Sequence, residues 1–190
     1  MIPKDINASN ATLKLMTKFI FDACSLIYLT KINLKEKLTK LGEVIVSQTV
    51  KNELIEAIDQ FEDAKILNRN IENKKIRESS YKLKNFFTTK NLGQGEKDTI
   101  EISLKDGCIL VTDDHKALNL ALSIGLKPKT SEVILLDLLK KSVIDYESFI
   151  KSFEKLALIK VLKPEVVKFF YKKAKEIIKN NINNSTEEIK

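Results

Sequence analysis

Two short apolar runs that each end in aspartate constrain the fold of this chain more than any other feature. The first spans residues 19–22 and ends in Asp22, and the second spans residues 109–114 and ends in the pair Asp113 and Asp114. Runs of this length that are rich in Ile, Val and Phe are typical of buried strands. Because the carboxyl ends of parallel strands share one edge of a sheet, where ligands bind, these aspartates are expected to meet.

Strands and helices alternate along most of the chain. The pattern predicts strands at 18–22, 44–46 and 108–112, and a short fourth strand at 126–130, where Pro128 removes a ladder donor. Helices are predicted at 49–61, in the polar stretch 63–89, at 94–105 and at 117–124, and then at 133–141, 146–158 and 164–179. This alternation predicts an α/β fold with a central parallel sheet of about four strands.

The 190 residues are expected to form one core domain with additions at both ends. The predicted divisions are an N-terminal extension at 1–17, the core domain at 18–141, a helical C-terminal extension at 142–179 and a tail at 180–190. The tail is rich in Asn, Ser, Thr and Glu, so it is predicted to be disordered.

The charge of the chain favours a polyanionic partner, with nucleic acid first, because 33 basic residues outnumber 26 acidic ones and the net charge is +7. No apolar run approaches the roughly 18 residues of a membrane-spanning helix. Residues 1–18 contain no stretch that resembles a secretory signal. A cytoplasmic protein without a membrane partner is therefore expected.

Five carboxylates are placed where they could converge: Asp22, Glu53, Glu96, Asp113 and Asp114. Structural explanations stand beside this one, since an aspartate can cap the helix that follows it and a glutamate in a first turn complements the helix dipole. Converging acids repel one another unless a cation lies between them, so a divalent metal site is the first hypothesis. Oxygen ligands without Cys or His clusters favour Mg²⁺ or Mn²⁺ over zinc.

Three other polar residues lie close to these acids in the sequence. Ser25, three residues after Asp22, could donate its hydroxyl to that carboxylate or could face a backbone group. Asp98 and Glu101 follow Glu96 on the same predicted helix. Asp98 could join the acids from outside, whereas Glu101 is expected to be solvated.

Four segments together resemble the PIN-domain nuclease family. They are FDACSLIYL at 21–29, SQTVKNEL at 47–54, LGQGE at 92–96 and ILVTDD at 109–114. The resemblance covers 18–141, more loosely to 162, and is closest to a prokaryotic VapC-like subgroup with a helical C-terminus. It implies a PIN-like three-layer α/β/α fold and a ribonuclease that depends on one or two Mg²⁺ or Mn²⁺ ions.

The same resemblance implies roles for individual residues. By position the family's acidic quartet, expected to be catalytic and to bind the metal, is Asp22, Glu53, Glu96 and Asp114, with Asp113 as a supporting ligand. A metal-activated water would then hydrolyse RNA phosphodiester bonds and leave 5′-phosphate and 3′-hydroxyl ends. A toxin or an RNA-processing enzyme would both fit, and the resemblance further implies a homodimer and an antitoxin-like protein inhibitor.

Residues next to the quartet are expected to support it. Ser25 and Thr112 would orient carboxylates. His115 and Lys116 follow the final aspartates, where members of the subgroup often carry arginine, and are expected to contact substrate. Lysine can neutralise a phosphate but cannot form the two-pronged contact of a guanidinium.

Two alternatives compete with the nuclease hypothesis. A catalytically silent PIN-like module, serving as an RNA-binding or protein-docking scaffold, would carry the same acids. A phosphoaspartyl phosphatase or receiver domain also places aspartate at strand ends. The phosphatase pattern requires a second acid two residues after the nucleophile, where this chain has Cys24, and Lys127 or Lys129 is a poor match for the receiver lysine.

Overall fold

A parallel β-sheet forms the centre of the protein in a computed structural model. The structure describes residues 16–56 and 62–187, with the side chains of 62–64 and 182–187 excepted. In this part of the chain the sheet has four strands: β1 Lys18–Phe21, β2 Glu43–Val46, β3 Arg77–Glu78 and β4 Ile109–Val111. Every pair of neighbouring strands is parallel, as the alternating sequence pattern predicted.

Eight α-helices connect the strands or follow them within the described residues. They are α1 Ala23–Lys31, α2 Gln48–Glu56, α3 Glu62–Glu72, α4 Gln94–Asp106, α5 His115–Ser123, α6 Ser131–Lys140, α7 Tyr146–Lys160 and α8 Pro164–Glu187. A short 3₁₀ helix at Lys35–Lys40 precedes β2.

The strand order β3-β2-β1-β4 positions the candidate site. From β1 the chain moves outward through β2 to β3 and then returns to place β4 on the other side of β1. The boundary between β1 and β4 is therefore the switch point at which an open α/β sheet binds ligands. Phe21 is paired with Val111 across this boundary, so the residues that follow both strands emerge side by side.

Alternate side chains of the strands enter two separate hydrophobic clusters, which makes the fold a three-layer α/β/α structure. Phe19 and Phe21 of β1 face a cluster shared with α1, α2, α6 and α7, whereas Ile20 between them faces a cluster shared with α4 and α5. On β2, Val46 faces the first of these clusters and Ile45 faces the second. Both faces of the sheet are covered, which explains why its strands read as continuous apolar runs.

The C-terminal helices share the larger cluster with the sheet. Phe149 stacks on Phe153 at a centroid distance of 5.6 Å, and Phe153 contacts Phe170 of α8 at 5.5 Å. All three rings belong to the cluster that contains Phe21. Aromatic side chains bury large areas, so α7 and α8 contribute to the main core.

The prediction of helix across 63–89 was wrong beyond α3. Helix α3 ends at Glu72, Lys74 adopts a positive φ of 56°, and the chain then enters β3. Arg77 pairs with Ile45 and Glu78 with Val46. Hydrogen bonds to a strand about thirty residues away outweigh the weak local helical preference of this polar segment.

The predicted fourth strand at 126–130 was also wrong. Only Lys129 forms a bridge to β4, opposite Val111. Its N–H donates to the carbonyl oxygen of Leu110 at 2.8 Å, and its carbonyl accepts from the N–H of Thr112 at 2.9 Å. Pro128 has no N–H to extend the ladder, and the chain enters α6 at Ser131.

Several predictions extend beyond the residues that the structure describes. The N-terminal extension predicted at 1–17 is described only from residue 16, and the predicted helix 49–61 is described only to Glu56. The helix predicted at 164–179 continues to Glu187, into the stretch predicted as a tail, and residues 188–190 lie outside the described part. The boundaries of the domain and its extensions remain predictions.

We expect Gly42→Ala to destabilise the protein by about 2–3 kcal/mol, because a Cβ at this position would collide with the main chain. The carbonyl oxygen of Thr17 occupies that space and accepts the N–H of Glu43 at 2.9 Å, so backbone would have to move. Urea denaturation measures the change. Gly107→Ala is the control, since no atom lies within 4 Å of its Cβ position and only its φ of 67° is strained. Equal losses in both variants would contradict the prediction.

Candidate active site

Asp22 and Asp114 are joined through the hydroxyl of Thr112 at the β1–β4 switch point. The Thr112 Oγ1 donates to Asp22 Oδ2 at 2.6 Å and accepts the backbone N–H of Asp114 at 3.2 Å. Asp22 N–H in turn donates to the carbonyl oxygen of Val111 at 3.1 Å. The two aspartates that follow separate strands therefore lie at one place, where Thr112 holds the carboxylate of Asp22 and the backbone of Asp114.

Asp22 is almost completely buried, with 3% of its surface exposed. Besides Thr112 it accepts the backbone N–H of Ser25 at 2.7 Å, so it caps α1. Burial raises the pKa of Asp22 because the charged form loses its hydration, and the hydrogen bonds from Thr112 and Ser25 only partly oppose that rise. The capping explanation thus holds for this residue, and the site explanation stays a prediction.

The sequence left open whether the hydroxyl of Ser25 faces the Asp22 carboxylate or a backbone group. It is buried, and among the described residues its Oγ has no hydrogen-bond partner. A buried hydroxyl without a partner is unfavourable, since it has lost water and gained nothing in return. An unsatisfied polar atom beside the carboxylate of Asp22 is what a site that admits water or a ligand would contain.

Asp114 begins α5 and has capacity for a further contact. Its Oδ1 accepts the backbone N–H of Ala117 at 2.7 Å, which caps the helix. Its Oδ2 accepts no hydrogen bond from another described residue. His115 and Lys116, both exposed, occupy the first turn of α5 directly after it. Their position at the rim of the site agrees with the predicted contact with substrate but does not test it.

Glu53 of α2 approaches the first turn of α4 at Gly95. A Cβ on Gly95 would lie 2.8 Å from Glu53 Oε1 and 3.1 Å from Oε2, so only glycine leaves room for this carboxylate. The pKa of Glu53 is raised, first by partial desolvation and then by the negative charges of Glu96 and Asp22. Glu53 is therefore close enough to both acids for their charges to interact.

Glu96 lies in the first turn of α4, with its carboxylate folded back over Gly93, the residue that begins the helix. Its charge is also felt by Cys24 at the start of α1. The pKa of Cys24 is raised to about 11, first by desolvation of the thiol and then by the charges of nearby acids: Asp22, Glu96, Asp113 and Asp114. The elements α1, α4 and the end of β4 therefore surround one negatively charged region.

Asp98 joins this region through hydrogen bonds from two elements. It is 2% exposed and accepts Thr49 Oγ1 at 2.5 Å and Gln94 Nε2 at 2.6 Å. Thr49 belongs to α2, so Asp98 ties α2 to α4 beside Glu53. Its charge contributes to the raised pKa of Glu53 after those of Glu96 and Asp22.

Asp113 is held differently from the other acids. Its Oδ1 accepts the backbone N–H of Ser131 at 3.1 Å and the ammonium of Lys160 at 2.6 Å, and its Oδ2 accepts the hydroxyl of Ser131. Lys160 also contacts Glu132 Oε1 at 2.5 Å. Burial would lower the pKa of Lys160, but the charges of Asp113 and Glu132 exceed that effect and raise it.

The prediction that Glu101 is solvated was wrong, since only 1% of its surface is exposed. Its two carboxylate oxygens accept the backbone N–H groups of Lys84 at 2.5 Å and Phe86 at 2.9 Å. Glu101 therefore anchors the segment between β3 and α4 against α4. The signal in the sequence was the position of Glu101 between Ile100 and Ile102. The helix that carries these residues is largely buried.

The donor set suits a hard divalent cation, because it consists of carboxylates with a buried hydroxyl beside them. Within the described part of the chain, however, no group of three or more Asp, Glu, His or Cys side chains is drawn together closely enough to hold a metal. The acids interact through their charges without forming a finished ligand cluster. Asp22, Glu53, Glu96 and Asp114 would have to adjust their side chains to share one ion.

Together these features define an α/β protein with an acidic centre at the carboxyl edge of its parallel sheet. The chain belongs to the PIN-domain family, whose model matches residues 18–176. This is a family generally of metal-dependent nucleases, and its members typically bind a divalent metal. The match extends through α7 and into α8, beyond the segments that carried the resemblance in the sequence.

Searches of curated proteins and of solved structures found no significant match. No helix among the described residues is both long enough and apolar enough to cross a membrane.

Proposed function

We propose that this protein is an endoribonuclease that hydrolyses RNA phosphodiester bonds with Mg²⁺ or Mn²⁺ held by four acids: Asp22, Glu53, Glu96 and Asp114. The observation that carries the proposal is the bridge from Asp22 through Thr112 to Asp114 at the switch point. Glu53 and Glu96 adjoin this bridge from α2 and α4. Four acids from four parts of the chain repel one another when brought together, and a cation between them would offset that repulsion.

When bound, one or two such ions would activate water as a nucleophile and offset charge on the phosphate and the leaving oxygen. The residues of the chain would then hold the ligands and the substrate in place. Thr112 and the Ser25 N–H fix the rotamer of Asp22, and Gly95 lets Glu53 approach α4. The buried Ser25 hydroxyl is available to hydrogen-bond a water molecule in the site.

Helix starts would assist in binding the phosphodiester. Helices α1, α4 and α5 begin at Asp22, Gly93 and Asp114, so three N-termini border the acidic region. Each N-terminus carries a partial positive charge that favours anions. His115 and Lys116 in the first turn of α5 are exposed and would contact the substrate backbone.

RNA is the proposed substrate because the net charge of +7 includes the acids of the site, which leaves the remaining surface more basic than this total. Between residues 140 and 180 there are 11 lysines against five acids. A VapC-like subgroup, a homodimer, an antitoxin-like inhibitor and a cytoplasmic location accompany the proposal as predictions.

A catalytically silent PIN-like module is the second candidate. It is favoured by the finding that the acids of the described chain do not form a group of three or more in metal-binding geometry. Asp22 and Asp114 would then serve mainly as helix caps. Such a module would bind RNA or a protein without cleaving RNA.

We expect the parent protein to cleave a mixed RNA pool when Mg²⁺ or Mn²⁺ is added, and Asp114→Asn to lose at least about 100-fold of that activity, since a ligand is lost. Denaturing gels of labelled RNA measure the rate. Asp145→Asn is the matched control, because Asp145 caps α7 through Ser148 N–H at 2.7 Å and is remote from the acids in the sequence. RNA binding without metal-dependent cleavage by the parent would favour the silent module.

A further inference from the structure

Lys160, the last residue of α7, enters the candidate site from the C-terminal part of the chain. Its ammonium lies 2.6 Å from Asp113 Oδ1 and 2.5 Å from Glu132 Oε1. The three side chains are 13%, 1% and 5% exposed, so this ion cluster is shielded from water. The same ammonium lies 5.6 Å from the centroid of the Tyr28 ring on α1.

Asp113 has little capacity left for a metal ion. One of its oxygens accepts Lys160 and the Ser131 N–H, and the other accepts the Ser131 hydroxyl. An ionised carboxylate offers about four lone-pair sites, of which three are occupied here. The carboxylate of Asp114, in contrast, accepts only the Ala117 N–H among the described residues. The two adjacent aspartates therefore face different partners.

The end of α7 is held in an unfavourable backbone conformation directly beside this cluster. Val161, the residue after Lys160, has φ 50° and ψ 52°, in the left-handed region. A β-branched residue rarely adopts it, because its Cβ crowds the backbone. The fold tolerates this conformation where it brings the Lys160 ammonium between two acids that would otherwise be buried without a cation.

We propose that Lys160 is a positioning residue of the proposed nuclease: it is the internal counter-ion of Asp113, which is thereby a structural partner and not a metal ligand. Holding Asp113 against Ser131 fixes the turn after β4, so that Thr112 and Asp114 are presented to Asp22. Lys160 also offsets part of the negative charge that Asp113 adds beside the four acids. This inference rests on the proposed function and makes α7 part of the site.

The first test separates the two adjacent aspartates by the response of the folded protein to Mn²⁺ alone. We expect Asp113→Asn to retain the Mn²⁺-induced rise in melting temperature and cleavage within about threefold, because its amide oxygen can still accept the Ser131 N–H and hold the turn. Asp114→Asn should lose both. Loss of the Mn²⁺ response in Asp113→Asn as well would overturn the inference. If the parent showed neither a Mn²⁺ response nor cleavage, the proposed function would be refuted and this inference with it. Failure of the inference alone would appear only in Asp113→Asn, so the two failures are distinguishable.

The second test is a double-mutant cycle between Lys160 and Asp113. We expect Lys160→Met to lower the melting temperature without metal by about 10 °C, because two acids lose their buried cation. It should also lower kcat about tenfold in the parent but only about twofold in the Asp113→Asn background, since Lys160 acts through Asp113. Equal losses of kcat in both backgrounds would indicate a general packing role and would overturn the proposal.

Lys129→Met is the matched control for this cycle. Lys129 forms a partly buried ion pair with Asp137 of α6, and its ammonium lies 5.9 Å from the centroid of the Phe19 ring, near the start of β1. Its removal should lower the melting temperature by a few degrees, about 2–5 °C, without coupling to Asp113→Asn in kcat or in the Mn²⁺ response. Coupling of the same size as that of Lys160 would also count against the proposal.

Discussion

Asp22→Asn is expected to reduce metal-dependent RNA cleavage on the order of 1000-fold, because it replaces the most deeply buried of the four proposed ligands. An amide keeps the shape of the side chain and can still accept the Ser25 N–H, but it supplies no negative charge for a cation. The loss should appear in kcat, measured with saturating RNA, because the lysines and helix starts that would bind RNA remain.

The same substitution should change the response of stability to metal. We expect Mn²⁺ at millimolar concentration to raise the melting temperature of the parent by about 5 °C or more, since it binds only the folded state. Asp22→Asn should abolish this rise. If the melting temperature of the parent protein did not change with Mn²⁺, the prediction would be contradicted even if cleavage were observed.

Without metal, Asp22→Asn should be at least as stable as the parent at neutral pH. Because burial raises the pKa of Asp22 above its unfolded value of about 3.9, the folded state holds that proton more tightly. Stability is therefore lost as the pH rises from the unfolded value through the raised folded value, and an asparagine does not contribute to that loss. Urea denaturation at pH 4 and pH 7 measures the difference, with Asp145→Asn as the control.

Gly95→Ala is expected to lower cleavage about 100-fold while leaving the protein folded. An added methyl group would occupy the position against which the Glu53 carboxylate rests, at 2.8 Å from Oε1. Glu53 is on a flexible side chain and would move aside, and displacement of a reacting group by about 1 Å can cost 100-fold in rate. Alanine is a better helix former than glycine, so stability should fall by less than about 1 kcal/mol or should rise.

Gly125→Ala is the control, because it should lower stability without lowering cleavage. Gly125 has a φ of 84° after α5, and no atom lies within 4 Å of its Cβ position. We expect a loss of about 1–2 kcal/mol in the free energy of unfolding, with unchanged cleavage. If Gly95→Ala lost activity only in proportion to its stability, the close approach of Glu53 would have no specific role.

The sequence contained enough information to predict the sheet and the acids of its carboxyl edge. Strands β1, β2 and β4 are short β-branched or aromatic runs, and each occurs within a residue of its predicted limits. The aspartates that end β1 and β4 became neighbours because parallel strands present their carboxyl ends together. Local pattern and the general rules of α/β folds were sufficient for these features.

The sequence was less informative where a distant partner decides the outcome. Residues 77–78 have little preference for a strand, yet pairing with β2 places them in the sheet. Glu101 resembles a solvated helix residue until the N–H groups of Lys84 and Phe86 are brought against it. These contacts depend on how the chain returns along α4. The local periodicity of the sequence does not specify that return.

Taken by themselves, the residues determined an α/β architecture, the family to which the chain belongs and the acids that could meet at one edge. Only the tertiary structure decided these neighbours of the acids: the Gly95 backbone for Glu53, the Thr49 hydroxyl for Asp98, and Lys160 for Asp113 from 47 positions away. The physical reason is that hydrophobic periodicity specifies which face of an element is buried. The charge or hydrogen bond that meets a buried polar atom is set by how distant elements pack.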